Sequence, residues 1–211
     1  MLDAGDPPEP TLIPSGIISP HGESFFVRIT THPEDGLEPN ELERFELLVL
    51  PHLDSAYTLA RHLTREDHDA QDVVQDAYLR ALKYFSGFRG DDAAAARAWL
   101  LAIVRNTAYT WRQRQRAGLA TEFDEKQHSE GVAGEHPAAV LDRTAARESL
   151  HQALERLTPE FREVIVLREL EGMSYKEIGD IAGVPVGTVM SRLARARRRL
   201  QEALCPGEEG R

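Results

Sequence analysis

The chain has 211 residues, of which 41% are hydrophobic, and its formal net charge at pH 7 is −10. That hydrophobic content is enough for one large or two small packed domains, and an aromatic content of 7% favours all-α domains with aliphatic cores over a β-sandwich. The only cysteine, Cys205, excludes an intrachain disulfide and fits a reducing cytoplasm. The longest aliphatic run, Leu47 to Leu50, is far too short to cross a membrane, and the acidic N-terminus lacks the chemistry of a signal peptide.

The charge is unevenly distributed along the chain. Residues 1–40 contain one basic and seven acidic residues, and residues 118–145 contain two basic and six acidic residues. Residues 41–117 and 146–211 each contain eleven of both kinds and are neutral, although each includes a basic cluster. We therefore expect a protein that needs a partner to bind DNA well, rather than one that coats DNA by charge alone.

Residues 1–40 are rich in proline, glycine and acidic residues and show no sustained periodicity. The segment from Ser24 to Thr31 has the composition of a β-strand, but a single strand without partners is not stable by itself. The sequence predicts a mostly disordered N-terminal extension.

A first helical region is predicted over residues 41–117, with a helix from Asp69 to about Phe85. One face of this helix has the three–four spacing of a buried stripe, formed by Val74, Ala77, Tyr78, Ala81, Leu82 and Phe85. A second face repeats that spacing with Asp72, Gln75, Asp76 and Leu79. Two stripes indicate one face for the core and one for a partner, although composition alone favours a solvated face for the carboxylates.

Glycines mark residues 86–91 as a loop, in which Phe88 and Arg89 lie between Gly87 and Gly90. An aromatic ring and an arginine held in this way can stack on a nucleic-acid base, because every base offers a π face.

The next predicted helix runs from about Ala93 to Arg116 and is basic and aromatic. From residue 97 to 116 it has five arginines and no acidic residue, interleaved with Trp99, Tyr109 and Trp111. This pattern suits single-stranded nucleic acid. Trp111 lies on the apolar stripe and is expected in the core, whereas for Trp99 the core and a nucleic-acid contact are equally open.

Residues 118–146 lack periodicity and are predicted to be an acidic linker long enough to separate two domains. Helices resume at residue 147 and form a compact four-helix unit up to residue 205, followed by a tail at 206–211. Thr158 followed by Pro159 is a helix-start signature within this unit.

The end of this unit has the pattern of a helix-turn-helix. Ser174 and Glu177 fit a capping box, and Gly183 and Pro185 end the short helix that follows it. The second helix, residues 186–201, contains five arginines and no acidic residue, and it has an apolar face opposite a face that carries Thr188, Ser191, Arg192, Arg195 and Arg199. Such a helix lies in the DNA major groove in helix-turn-helix proteins. The alternative is an ordinary helical hairpin with a solvated basic face.

These features resemble the bacterial extracytoplasmic-function (group 4) sigma factors of the sigma-70 family. The resemblance covers residues 41 to 204 and rests on five motifs in the family's order: DAQDVVQDAY (69–78), FRGD (88–91), WLLAIVRNTA (99–108), LRELEGMSYKEI (167–178) and PVGTV (185–189). It implies an all-α protein with a region 2 bundle at 41–117 and a region 4 helix-turn-helix at 147–205, joined by the flexible acidic linker.

The resemblance also implies a function. An alternative sigma factor binds core RNA polymerase, at its β′ clamp and β flap, and directs promoter recognition, melting and initiation without being an enzyme or holding a cofactor or metal. It works in the cytoplasm, is not inserted in the membrane, and usually has a cognate anti-sigma factor.

The resemblance assigns site residues to three surfaces. Core polymerase is expected to contact Asp72, Gln75, Asp76 and Leu79, which replaces the solvated-face interpretation. The −10 element, read as a single strand, is expected to contact Phe88, Arg89, Trp99, Arg105, Asn106, Tyr109 and Arg112. The −35 element, read as a duplex, is expected to contact Arg168, Thr188, Ser191, Arg192, Arg195 and Arg199.

Two departures from the family are visible in the sequence. Met190 stands where many members carry a polar or basic residue, and residues 1–40 lie outside the usual pattern.

Three other functional classes fit these residues less well. A sigma-factor mimic that titrates an anti-sigma factor is disfavoured by the intact basic helix, and a helix-turn-helix repressor is disfavoured by the basic-aromatic helix. A metal enzyme would need His52, His62, His68, Asp67 and Asp69 to act together, but their spacing fits no common ligand motif.

Overall fold

The computed structural model describes residues 39–119 and 138–205, and it contains no strand within those ranges. The described chain forms eight α-helices, in the order α1 (Pro39–Leu48), α2 (Leu53–Thr64), α3 (Asp67–Tyr84), α4 (Ala93–Leu119), α5 (Ala138–Arg156), α6 (Pro159–Ile165), α7 (Tyr175–Ala182) and α8 (Val186–Leu204). The all-α prediction is thus confirmed. The extension 1–38, the stretch 120–137 and the tail 206–211 lie outside the described residues, together with the predictions made for them.

Helices α1 to α4 form the first helical unit, in which α2, α3 and α4 pack against one another. The predicted buried stripe of α3 is confirmed, because Val74, Ala77, Tyr78 and Ala81 are fully buried. The ring of Tyr78 lies edge-on to Phe45, at 6.5 Å between centroids. Its hydroxyl donates a hydrogen bond to the backbone carbonyl of Val49 at 3.3 Å, which satisfies the phenol inside the core.

Helices α5 to α8 form the second unit, and α8 packs against α5, α6 and α7. Helix α5 begins at Ala138, well inside the stretch predicted as linker, so that boundary was placed too late. The reason is visible in the sequence: after Pro137 the chain has no proline or glycine before α5 ends, and it is rich in alanine, the best helix former. Thr158 is the N-cap residue of α6, and Pro159 is its first residue, as predicted.

The helix-turn-helix prediction is confirmed in detail. The side chain of Ser174 accepts a hydrogen bond from the backbone of Glu177, while the Glu177 carboxylate accepts one from the backbone of Ser174 at 2.7 Å. Helix α7 ends at Gly183, whose φ of 66° places it in the left-handed region that glycine adopts without strain. A Cβ at Gly179 would lie 2.9 Å from the carbonyl oxygen of Val184, so this glycine allows the turn to fold back closely.

The two units contact each other along α2 and α4 of the first and along α6 and α7 of the second. The Arg162 side chain is 1% exposed and forms hydrogen bonds with both units. Its guanidinium donates to the carbonyls of Leu154 and Leu157 in its own unit, and to that of His62 in the other unit at 2.9 Å. A buried cation whose donors are satisfied by carbonyls fixes the position of both helices.

Candidate nucleic-acid interface

Helix α8 presents the basic surface expected of a recognition helix. Its apolar face is buried through Val189, Leu193 and Ala196, which leaves Ser191 and Arg195 exposed on the other side. Thr188 and Arg192 are half-buried, and the Nη1 atom of Arg192 is buried without a hydrogen-bond partner.

Two further arginines predicted at this surface are held by aromatic rings. Arg199 lies over Phe161, 4.8 Å from the ring centroid, and Arg168 lies over Tyr175 at 5.1 Å. Arg168 also donates a 2.7 Å hydrogen bond to the carbonyl of Met173 in the turn before α7. Rings and carbonyl fix the direction of both guanidinium groups without neutralising their charge.

The loop between α3 and α4 is built around buried aromatic rings. Phe88 is 8% exposed and packs 5.7 Å from Phe85 and 4.9 Å from Trp99, between ring centroids. The guanidinium of Arg44 lies over Phe88 and donates to the carbonyl of Gly90. Phe88 therefore serves the packing of the loop, and in this arrangement it offers no open face on which a base can stack.

Arg89, the other residue between the two glycines, is exposed. A Cβ at Gly90 would lie 2.3 Å from Cζ of Phe88 and 2.8 Å from Cβ of Ala95, so only glycine fits between the ring and α4. Gly90 thus holds the loop close to α4, where Trp99 is half-buried, and leaves Arg89 at the edge of the same face.

Helix α4 carries the remaining residues predicted to read the −10 element, and two of them contact the second unit. The Nε of Arg105 donates to a carboxylate oxygen of Glu163 at 2.5 Å, and the hydroxyl of Tyr109 donates to the other oxygen at 2.8 Å. Glu163 is fully buried. Burial, reinforced by this carboxylate, raises the pKa of Tyr109, so its phenol stays protonated and remains a donor.

Asn106 and Arg112, also on α4, form hydrogen bonds within the first unit. Asn106 is exposed, and its side-chain oxygen accepts a 3.1 Å hydrogen bond from Arg105. Arg112 donates to the carbonyl of Leu63 at 3.2 Å. A second ion pair, from Arg97 to the buried Glu171, completes the contact between the units. None of these links between the units was foreseen from the sequence.

The predicted partner stripe of α3, formed by Asp72, Gln75, Asp76 and Leu79, is exposed. Leu79 is 42% exposed, and Asp76 forms an ion pair with Arg80, one turn away, at 3.4 Å. The stripe borders a groove of about 370 Å³ between α3 and α4, whose other wall includes Trp111 and Arg114. An exposed leucine beside carboxylates and a groove with both polar and apolar walls is a surface suited to a protein partner.

Within the described ranges no three His, Cys, Asp or Glu side chains are placed to hold a metal ion. In the same ranges no helix is both long and apolar enough to cross a membrane.

Family models of the sigma-70 factors match both units. The model of sigma-70 region 2 matches residues 48–118, and the model of sigma-70 region 4 matches residues 147–200. Among similar proteins, the RNA polymerase sigma-H factor of Pseudomonas aeruginosa is 33% identical over 77% of this chain and 86% of its own length. The ECF RNA polymerase sigma-E factor of Escherichia coli is 32% identical over 81% of this chain and 91% of its own.

Solved structures show the same likeness. The sigma factor RpoE from Bartonella quintana, in complex with the anti-sigma factor NepR, is 30% identical over 78% of this chain and 97% of its own, with a TM-score of 0.60. CnrH, in complex with the cytosolic domain of CnrY, is 29% identical over 79% of this chain and 91% of its own, with a TM-score of 0.53. The fold and motifs thus define a transcription initiation factor built from two helical units. The chain belongs to the sigma-70 family, as an extracytoplasmic-function sigma factor.

Proposed function

We propose that the chain binds core RNA polymerase and reads both promoter elements, with α8 on the −35 duplex and α4 with its preceding loop on the melted −10 strand. The observation that carries this proposal is α8, whose exposed face is basic on a chain with a net charge of −10. A local basic face on an acidic protein needs a polyanionic partner.

For the −35 element, Thr188, Ser191, Arg192 and Arg195 are the base-edge candidates, because they occupy the solvent side of the first turns of α8. Arg168 and Arg199 are fixed by aromatic rings and serve as phosphate contacts that set the register. Met190, where many members of the family carry a polar or basic residue, is exposed on α8.

For the −10 element, Arg89, Asn106 and Trp99 are the candidates for a direct contact with the unstacked strand. Trp99 and Asn106 are seven residues apart and therefore lie on the same side of α4, and Arg89 is exposed in the loop that precedes this helix. Binding to extruded bases offsets the cost of unpairing, about a few kcal/mol per base, so melting needs no catalytic residue. Arg105 and Tyr109 join this surface only after they leave Glu163, and Arg112 supplies positive charge beside them.

For core polymerase, the exposed stripe of Asp72, Gln75, Asp76 and Leu79 is the docking surface of the β′ clamp, and the second unit contacts the β flap. The stripe and its groove are also where a cognate anti-sigma factor would compete, and a similar solved structure, that of RpoE, is a complex with the anti-sigma factor NepR. Because bacterial transcription takes place in the cytoplasm, we place the protein there.

Run-off transcription tests this function directly. Purified core polymerase is mixed with sheared DNA of the source genome, with and without the full chain. New discrete transcripts that share sequence about 35 and 10 bases upstream of their starts are expected. Stable binding to core polymerase without any transcript would instead favour a sigma-factor mimic, and no binding to core polymerase would favour a repressor.

An Asp76→Arg variant localises the docking surface. It should lose binding to core polymerase, because it reverses one charge in the stripe. The matched control is Asp54→Arg, an exposed carboxylate on α2 of the same unit but outside that stripe, which should bind core polymerase like the unmodified chain.

A further inference from the structure

A cavity of about 450 Å³ lies where the C-terminal part of α4 meets the start of α6. Four arginines line it: Arg65, Arg112 and Arg116 from the first unit and Arg156 from the second. Among the described residues that line it there is no Asp or Glu, and Trp111 provides an apolar side. A cavity of this volume is within the range of small-molecule sites, about 300–1,000 Å³.

Two of these arginines are held by backbone carbonyls. Arg112 donates to the carbonyl of Leu63 at 3.2 Å, and Arg65 donates across the contact between the units to the carbonyl of Glu155 at 2.7 Å. A carbonyl satisfies a donor but does not cancel a charge. In the described parts of the chain no carboxylate forms an ion pair with any of the four lining arginines.

The positive charges in this corner act on one another. Burial lowers the pKa of Arg112, and the neighbouring Arg116 and Arg65 lower it further, against a smaller opposing effect of Glu160. Burial also lowers the pKa of Arg162, directly behind the cavity, to about 10, with Arg65 and Arg112 contributing. Such mutual repulsion is what a bound anion relieves.

We propose that this cavity binds a small anion with several phosphoryl groups, held by Arg65, Arg112, Arg116 and Arg156. The planar guanidinium fork matches phosphate oxygens, and four such groups call for a ligand with several negative charges. A free polyphosphate fits better than a DNA backbone, because the lining residues come from both units and the cavity has a volume of small-molecule size. Since the ligand contacts both units, it stabilises their packed arrangement by mass action.

Isothermal titration of the full chain with inorganic tripolyphosphate, at fixed ionic strength, tests the site. We expect saturable binding that weakens at least about tenfold in Arg116→Gln and in Arg156→Gln, because each variant removes a charge-assisted contact. Arg114→Gln is the matched control: it removes the same charge from the same helix but lies on the groove between α3 and α4, and it should leave the affinity unchanged.

Thermal unfolding gives a second readout. Tripolyphosphate should raise the melting temperature of the unmodified chain and of Arg114→Gln, and it should raise that of Arg156→Gln much less.

Three results would overturn the proposal. One is the absence of saturable binding, and another is an equal loss in Arg114→Gln, which would reduce the effect to diffuse charge. The third result would show that the phosphate belongs to DNA: Arg116→Gln and Arg156→Gln would weaken the binding of a labelled DNA duplex, while tripolyphosphate would neither bind the protein nor compete with the duplex. That result would assign the arginines to the nucleic-acid backbone instead.

Discussion

Replacing Glu163 by Gln should shift the equilibrium between the packed and the separated arrangement of the two units. Glu163 is fully buried in the second unit, and both of its carboxylate oxygens accept hydrogen bonds from the first unit, from Arg105 at 2.5 Å and Tyr109 at 2.8 Å. Glutamine keeps the shape of the side chain but has no charge, and only one of its two terminal groups accepts hydrogen bonds. Arg105 then loses its counter-charge while it remains largely buried.

The magnitude follows from the burial of the pair. Breaking a fully buried ion pair by changing one partner costs about 3–5 kcal/mol. The Arg105 side chain is 20% exposed, and a neutral glutamine costs less to bury than a carboxylate, so we expect about 2–3 kcal/mol. At 1.36 kcal/mol for each factor of ten, the packed arrangement should lose about 30- to 160-fold in population relative to the separated one.

The assay is energy transfer between a dye on the exposed Cys205 and a second dye on a cysteine introduced by Lys83→Cys, another exposed position. Glu163→Gln should lower the transfer efficiency. It should also increase the affinity of the free protein for a single-stranded oligonucleotide carrying its −10 sequence, because Arg105 and Tyr109 become available without first leaving a carboxylate.

The matched control is Glu202→Gln, which makes the same chemical change in an exposed pair with Arg198 within α8 and should alter neither quantity. Circular dichroism must show that Glu163→Gln keeps its helices. If a folded Glu163→Gln protein has the transfer efficiency of the unmodified chain and binds the oligonucleotide no more tightly, the pair does not control the arrangement and the reasoning fails.

Three further predictions concern stability and promoter selectivity. Burial lowers the pKa of His62 from 6.5 to about 4, so the unfolded chain takes up a proton at a higher pH than the folded chain does. The free energy of unfolding should therefore fall by about 1–3 kcal/mol as the pH drops from 6.5 to 4. Chemical denaturation across this range should show a clearly smaller drop in His62→Asn, and an identical drop would refute this origin. Gly90→Ala should cost about 1–3 kcal/mol in a thermal melt because its Cβ meets a packed ring, whereas Gly87→Ala, with open space around it, should cost less than half as much. Arg192→Ala should relax selectivity at one base of the −35 element, while Arg199→Ala should weaken binding to all sequences and make that binding less dependent on salt. Promoter-library selection measures these preferences, and identical preferences for Arg192→Ala and the unmodified chain would contradict the prediction.

Features encoded by local sequence were predictable. The two stripes of α3 follow from residues three and four apart, and the capping box of Ser174 and the turn at Gly183 follow from residue types at fixed offsets. In each case the partners are close in the chain, so their spacing alone decides which face is buried or where a helix begins.

Features that depend on distant partners were not predictable. Phe88 has the local setting of an exposed ring between glycines, but it is buried because Phe85, Trp99 and Arg44 cover it. Glu163 sits among apolar residues of α6, where a charge signals a buried partner, yet nothing nearby in the chain indicates that the partner is Arg105. A contact between two units requires the tertiary arrangement, which periodicity does not contain.

The packed arrangement imposes an order on the proposed events. The docking stripe of α3 and the outer face of α8 are exposed while the units are in contact, so neither surface requires them to separate. The opposite holds for Arg105 and Tyr109, whose donors are occupied by Glu163. A free chain therefore has its polymerase-binding and duplex-reading surfaces ready, whereas full contact with the −10 strand needs energy to break a buried ion pair. Polymerase can supply that energy if it binds the two units at the β′ clamp and the β flap with a spacing that the packed arrangement does not allow. In that case promoter melting depends on prior binding of the chain to polymerase.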